Sequence, residues 1–229
     1  MRNFNDDQLW DHFEAVVNDC SPRKHLKLYR YENNDEFKYF RPPISTQNCT
    51  VVTLGVGKDV QAEKKLKIQH PKCSFVGADP VKFINELLYH EIGEFHQIAV
   101  GTENGTMNTL VYRGHKYTNE SVPSVDLPYF LKSMVESTTI DLLLIDVEYG
   151  EYEMFDYFLD SDSSLEAQGI IVCQVNIEVH TPKEGKHKRK FGDFIRRLLA
   201  DGRFHLIEAS KFYGNKRLYF ARLDHLDCV

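Results

Sequence analysis

Residues 140–151 read I-D-L-L-L-I-D-V-E-Y-G-E, and the fold is decided there. An unbroken apolar run from Leu142 to Ile145 passes directly into Asp146, Val147 and Glu148. So short a run, bounded by charge, predicts a strand buried on both faces of a parallel sheet. Asp and Glu are almost never fully buried unless paired, so carboxylates just past such a strand mark its open end. In open α/β sheets that carboxyl end is where ligands bind. Asp146 and Glu148 are therefore candidate functional residues. The plainer alternative is a cap on the positive N-terminus of the helix that follows.

Upstream, T-V-V-T-L at 50–54 is a β-branched strand, followed by G-V-G-K-D at 55–59 and a helix over 60–69. Strand, glycine turn and helix form the first unit of a doubly wound fold, and the glycines let the backbone come close to a ligand. Val60 occupies the third glycine position of G-x-G-x-x-G, which argues against a dinucleotide-dependent oxidoreductase. A second strand within 72–77 leads to A-D-P. There Asp79 is placed either to accept both hydroxyls of a ribose or to cap a helix over 81–92. A third strand is expected over 95–101. An added strand over 106–112 makes a hairpin with it across the turn at 103–105. Residues 113–124 read as a polar loop, and a helix through 135 returns to the central strand.

Downstream, a helix over 152–159 precedes a fifth strand over 169–179, with Glu178 and His180 at its end. The basic run P-K-E-G-K-H-K-R-K at 182–190 reads as a solvated loop, or as a binder of an acidic substrate beside the ligand edge. A helix over 191–199 is closed by Gly202. Strands over 204–209 and 217–222 flank a turn at Gly214-Asn215. Strands alternating with helices, then a closing strand pair, predict an α/β fold with a mostly parallel sheet and an antiparallel end.

Residues 1–48 differ in character. A helix over 4–17 brings Leu9, Trp10, Phe13, Val16 and Val17 near one face, and Ser21-Pro22 ends it. The mixed aromatics and charges of 27–41 suit a cover for a sheet edge or a roof over a pocket. Arg41-Pro42-Pro43 reads as an extended link into the main domain.

Composition narrows the classes. The chain has 229 residues, 42% of them hydrophobic, and a formal net charge of -6, so nucleic acid is not an expected partner. No apolar run approaches a membrane span and the N-terminus lacks a signal-peptide pattern, which predicts a cytoplasmic protein. Five cysteines without a C-x-x-C pair read as reduced thiols. The N-x-S/T sequons at Asn48, Asn104 and Asn119 then read as chance matches.

The succession V-T-L-G-V-G-K-D, G-A-D-P, I-A-V-G-T-E-N-G, S-V-D-L and I-D-L-L-L-I-D-V-E-Y-G-E resembles the FkbM-type family of class I S-adenosylmethionine-dependent methyltransferases, over residues 50–180. The family's I-D-x-x-K-I-D-V-E-G-x-E is matched at Asp141, Asp146, Glu148 and Glu151. Leu144 replaces its lysine, and Tyr149 stands where its glycine stands. Ala99-Val100-Gly101 match its A-x-G, and Val125-Asp126-Leu127 match its T-L-D loosely. G-V-G-K-D departs from its commoner G-A-N-x-G.

The resemblance implies a Rossmann-like, seven-stranded sheet of order 3-2-1-4-5-7-6, with helices on both faces and strand 7 antiparallel. Residues 49–229 would form the methyltransferase domain and 1–48 an extension. It implies S-adenosylmethionine as cofactor, with Gly55, Gly57 and Asp59 on its methionine side and Asp79 on its ribose. Val100 and Gly101 would lie near the adenine, and Asp146 near the sulfonium or the substrate. The expected reaction is O-methylation of a small-molecule or glycan hydroxyl, with the base among Asp146, Glu148, Glu178 and His180. Carboxylates suit magnesium, but no sequence pattern demands it and no metal ligands are assigned. The departures at the first motif and at Tyr149 motivate one alternative, a non-catalytic interaction protein that keeps the fold.

Overall fold

Leu142–Ile145 form a strand inside a seven-stranded, mostly parallel sheet, and all of its side chains are buried. The structure, a computed structural model, describes residues 3–34, 36–42, 49–113, 116–159, 161–223 and 225–228. In chain order, α1 (Asp6–Cys20) is followed by a hairpin of β1 (Tyr29–Glu32) and β2 (Phe37–Phe40). Then come β3 (Cys49–Leu54), α2 (Gln61–Gln69), β4 (Cys73–Ala78), α3 (Phe83–Tyr89), β5 (Glu94–His96), β6 (Ala99–Gly101), β7 (Gly105–Arg113) and β8 (Lys116–Asp126). Next are α4 (Leu127–Tyr129), continued by a π-helical turn, β9 (Thr139–Ile140), β10 (Leu142–Ile145) and α5 (Glu151–Met154), continued by a 3-10 turn. The chain closes with β11 (Ile171–Val172), β12 (Gln174–Val179), α6 (Gly185–Asp201), β13 (His205–Phe212) and β14 (Asn215–Ala221).

The main sheet runs β13-β14-β12-β10-β3-β4-β5, and β14 is its antiparallel strand. Strand side chains alternate between faces, so both parities must be apolar where helices cover both sides. Val52, Leu54, Leu143, Ile145, Val175 and Ile177 enter one core with α1, α5 and α6. Val51, Leu142 and Leu144 enter a second core, with Leu66 of α2 and with Tyr31, Phe40 and Tyr89. On α1 the stripe Leu9, Trp10, Phe13 and Val17 is buried, and Asn5 and Gln8 close a reciprocal capping box at its start. Trp10 and Phe13 each meet Phe191 of α6 edge-on at 5.0 Å.

Several expectations are corrected. The third strand divides: β5 joins the main sheet, while β6 joins a three-stranded sheet with β8 and β7. The hairpin of β7 is made with β8, not with β6. Residues 113–124, expected as a loop, lie largely in β8. Before Ser124 that strand pairs only with β7 and has a largely solvated surface, so its apolar alternation is faint. The basic run is likewise no loop from Gly185 onward. Lys186, Lys188, Arg189 and Lys190 ride on the first turns of α6, where Lys188 pairs with Asp7 at 2.6 Å. Pro43 of the expected link and the sequon at Asn48 lie outside the described residues.

The cysteine reading is overturned. Cys49 and Cys73 are register partners at the starts of β3 and β4 and form a disulfide. A second disulfide, Cys173–Cys228, ties the C-terminal turn to the residue before β12, and Cys20 is free and exposed. Disulfides belong to oxidising compartments, so the cytoplasmic placement is not carried further. Asn104 and Asn119 are both exposed. Among the described residues, no helix is long and apolar enough to cross a membrane. Adding a phosphine reductant to a urea melt is expected to lower stability by roughly 2–4 kcal/mol for each bridge opened. Unchanged midpoints would show that the bridges do not form.

Candidate active site

Strands β3, β4, β10 and β12 all end on one edge, and their continuations wall a cavity of about 630 Å³. After β3 the chain turns through Gly55 at φ +80°, Gly57 at φ +62° and Lys58 at φ +67°. Gly55 is required twice over. Its backbone is left-handed, and a Cβ there would lie 1.8 Å from the Asp146 carbonyl oxygen. The end of β3 thus packs backbone to backbone against the end of β10.

Asp79 organises that turn. Its Oδ2 accepts from the N–H of Val56 at 2.9 Å, and its Oδ1 from the N–H of Val81 at 2.7 Å. Burial pushes its carboxyl up, against the pull of those N–H groups. It does not cap α3, whose N-terminus has no side-chain cap. Asp59 is engaged with the β1–β2 hairpin: Oδ2 accepts from the backbone and side-chain N–H of Asn34, both at 2.8 Å, and Oδ1 from Gln61 N–H at 3.0 Å. Val100 lines the cavity, whereas Gly101 lies outside its wall.

Beside the glycine turn, at the ends of β10 and β12, three acids surround one imidazole. His180 follows β12 directly and is 7% exposed. Its Nδ1 lies 3.1 Å from Glu151 Oε1, and its backbone N–H donates to the same oxygen at 2.7 Å. Its Nε2 faces Glu148 Oε2 at 3.3 Å and Asp146 Oδ1 at 3.7 Å. Burial pulls the imidazole pKa down, but Glu148 and Glu151 win and raise it to about 11. Although the Asp146 side chain opens to the cavity, desolvation by the surrounding protein and then Glu178 push its carboxyl upward against the pull of His180. The Glu148 carboxyl falls despite burial, held down by His180, Tyr117 and Lys183.

Glu148 and Tyr149 are both left-handed, at φ 48° and 75°. Tyr149 stands where the family motif carries glycine, and its backbone keeps a conformation that favours glycine. Its ring packs 5.1 Å from that of His180, beneath Lys183 Nζ at 3.6 Å. Glu178 is drawn toward β14, with Oε1 held by Asn215 at 2.6 Å and Oε2 by Arg217 at 2.5 Å.

Sequence reasoning missed one role in the site and left another coarse. Glu151 was noted only as a motif position, yet it is fully buried and orients His180. Its place in the motif, three residues after Glu148, was the available signal. The hairpin residues Glu36, Lys38 and Tyr39 line the cavity too, within the stretch 27–41 whose mixed aromatics and charges suit a sheet-edge cover or a pocket roof, but which of them face the cavity is not legible locally.

A mostly parallel α/β sheet with a glycine turn and an acid-lined cavity at its carboxyl edge defines a ligand-binding enzyme fold. The family model described as "Methyltransferase FkbM domain" matches residues 2–206, so the chain belongs to that family and is of methyltransferase type. No curated protein matches the sequence significantly. Solved structures that match include a conserved hypothetical protein from Streptococcus pyogenes. It is 11% identical, with a TM-score of 0.40, over 78% of this chain and 89% of that one.

Proposed function

We propose that the protein transfers a methyl group from S-adenosylmethionine to a hydroxyl of a small molecule or glycan. The observation that carries this reading is that the glycine turn, Asp79 and the acidic corner all line one cavity. S-adenosylmethionine is the usual donor of the family. In this reading the fold is the Rossmann-like methyltransferase domain of residues 49–229, and residues 1–48 extend it. Gly55 and Gly57 bring backbone to the methionine end, while Asp59 braces their turn against the hairpin. Asp79 takes the ribose hydroxyls. Its Oδ2 already accepts from the N–H groups of Val56 and Gly57, whereas Oδ1 accepts from that of Val81, so the acceptor capacity for a ribose hydroxyl is on Oδ1. Val100 lies against the adenine, and Gly101 supports it from behind.

The acceptor then sits at Asp146, Glu148 and His180. S-adenosylmethionine, when bound, would supply an electrophilic methyl group and leave as the neutral thioether, and a carboxylate of that corner would take the proton the hydroxyl loses. Holding the two reactants in line is the main contribution asked of the protein. Glu178, held by Asn215 and Arg217, and His180, ringed by carboxylates, position the acceptor instead of taking the proton.

Calorimetric titration with S-adenosylmethionine, and separately with its demethylated product, tests the reading. Saturable binding is expected, and Asp79→Ala should weaken it by roughly 100-fold, the value of losing hydrogen bonds to a charged group. A well-folded wild type that binds neither ligand, with or without magnesium, would support the interaction-protein alternative.

A further inference from the structure

We infer that Asp146, Glu148 and His180 form a binding site for one divalent first-row transition-metal ion. The three residues each offer a donor atom, and these atoms lie within 4.8 Å of one another. Metal–nitrogen and metal–oxygen bonds of about 2.0–2.2 Å place neighbouring ligand atoms about 3 Å apart, so the 3.3 Å and 3.7 Å separations need little closure.

The surroundings of His180 match those of a metal ligand. A ligating imidazole almost always gives its second nitrogen to a carboxylate or carbonyl, which fixes the ring and its tautomer. Glu151 fills that role from within the core, gripping Nδ1 at 3.1 Å and the backbone N–H of the same residue at 2.7 Å. It is fully buried, and its Oε2 has no partner among the described residues. Nε2 is thereby aimed into the cavity at two carboxylates. Of these, Asp146 is 46% exposed and accepts no hydrogen bond from any described residue. A merely structural ion-pair cluster needs no carboxylate left open to the cavity.

The donor set selects the ion class. Carboxylates suit magnesium, calcium and manganese, while imidazole suits zinc, iron and nickel. A mixed set points to ions such as manganese(II) or zinc(II), not to magnesium. Three protein donors leave coordination positions open toward the cavity for an oxygen of the bound acceptor. That last clause rests on the methyl-transfer reading; the metal site itself does not.

The test uses the full chain, stripped with chelator and desalted. Manganese(II) is titrated while free ion is read by electron paramagnetic resonance. Zinc(II) is titrated calorimetrically in a Cys20→Ser background, which removes the exposed thiol as a ligand. One ion per chain is expected. Glu148→Gln and His180→Ala should each weaken binding by about 100-fold or more, and Glu151→Gln, which changes only the support of His180, by about 10–100-fold. Circular dichroism checks each fold, and Glu148→Gln decides if His180→Ala does not fold. A folded wild type that binds neither ion overturns the site, as does Glu148→Gln binding as tightly as wild type. Metal binding without S-adenosylmethionine binding would remove the methyl-transfer reading and leave this site standing.

Discussion

Gly55→Val is expected to cost roughly 4–6 kcal/mol of stability and to abolish S-adenosylmethionine binding. About 1–3 kcal/mol comes from holding a β-branched residue in left-handed backbone at φ +80°. About 3 kcal/mol more comes from forced overpacking. The new Cβ would meet the Asp146 carbonyl oxygen at 1.8 Å and its carbon at 2.8 Å, so backbone and not a flexible side chain would have to yield. Relief requires parting the ends of β3 and β10, which also bond through Asp146 N–H to Leu54 C=O at 2.9 Å. Parting them moves the glycine turn away from the acidic corner, so binding and stability should fall together. Urea unfolding and calorimetric titration measure the two effects. A stability loss under about 1 kcal/mol would show that the two strand ends are not in contact.

Lys38→Met is expected to destabilise by roughly 3–5 kcal/mol, and adding Glu63→Met should recover most of the loss. Lys38 Nζ lies 2.8 Å from Glu63 Oε1 and 3.2 Å from Glu36 Oε1, with its side chain 12% exposed. Burial lowers the pKa of this amine, but Glu36 and Glu63 more than offset it, and the net shift is upward. Glu63, on α2, has a side chain only 1% exposed, and its Oε2 has no partner among the described residues. Removing Lys38 alone therefore strands a buried carboxylate. Removing both charges replaces an ion pair with apolar packing, which is often close to neutral. The pair also clamps the β1–β2 hairpin to the helix that follows the glycine turn, so the single variant should bind S-adenosylmethionine more weakly. A double-mutant cycle in urea isolates the coupling. A single variant as stable as wild type would mean that the clamp contributes nothing.

Much of this architecture is written locally. The both-faces-apolar pattern of Leu142–Ile145 specifies a covered parallel strand because side chains alternate, and helices on both sides require both parities to be apolar. The glycine turn is legible because few other residues tolerate positive φ, and α1 is legible from its apolar stripe and its Asn5–Gln8 cap. β8 was missed because a solvated ribbon gains its stability from a partner strand, so its own residues need not be apolar. The basic run was misread because its charges occupy the outer face of a helix whose apolar face begins only at Phe191.

Sequence by itself therefore determined the strand and helix succession of the sheet, its ligand edge, and the glycines and acids that stand there. These features answer to backbone sterics and to burial periodicity, which act over a few residues. Tertiary structure alone decided which of those residues meet. Cys49 reaches Cys73 only because β3 and β4 pair in that register, and His180 reaches Glu148 and Glu151 only because β10 and β12 end side by side. Strand register depends on the packing of both cores at once, and spacing along the chain cannot encode it.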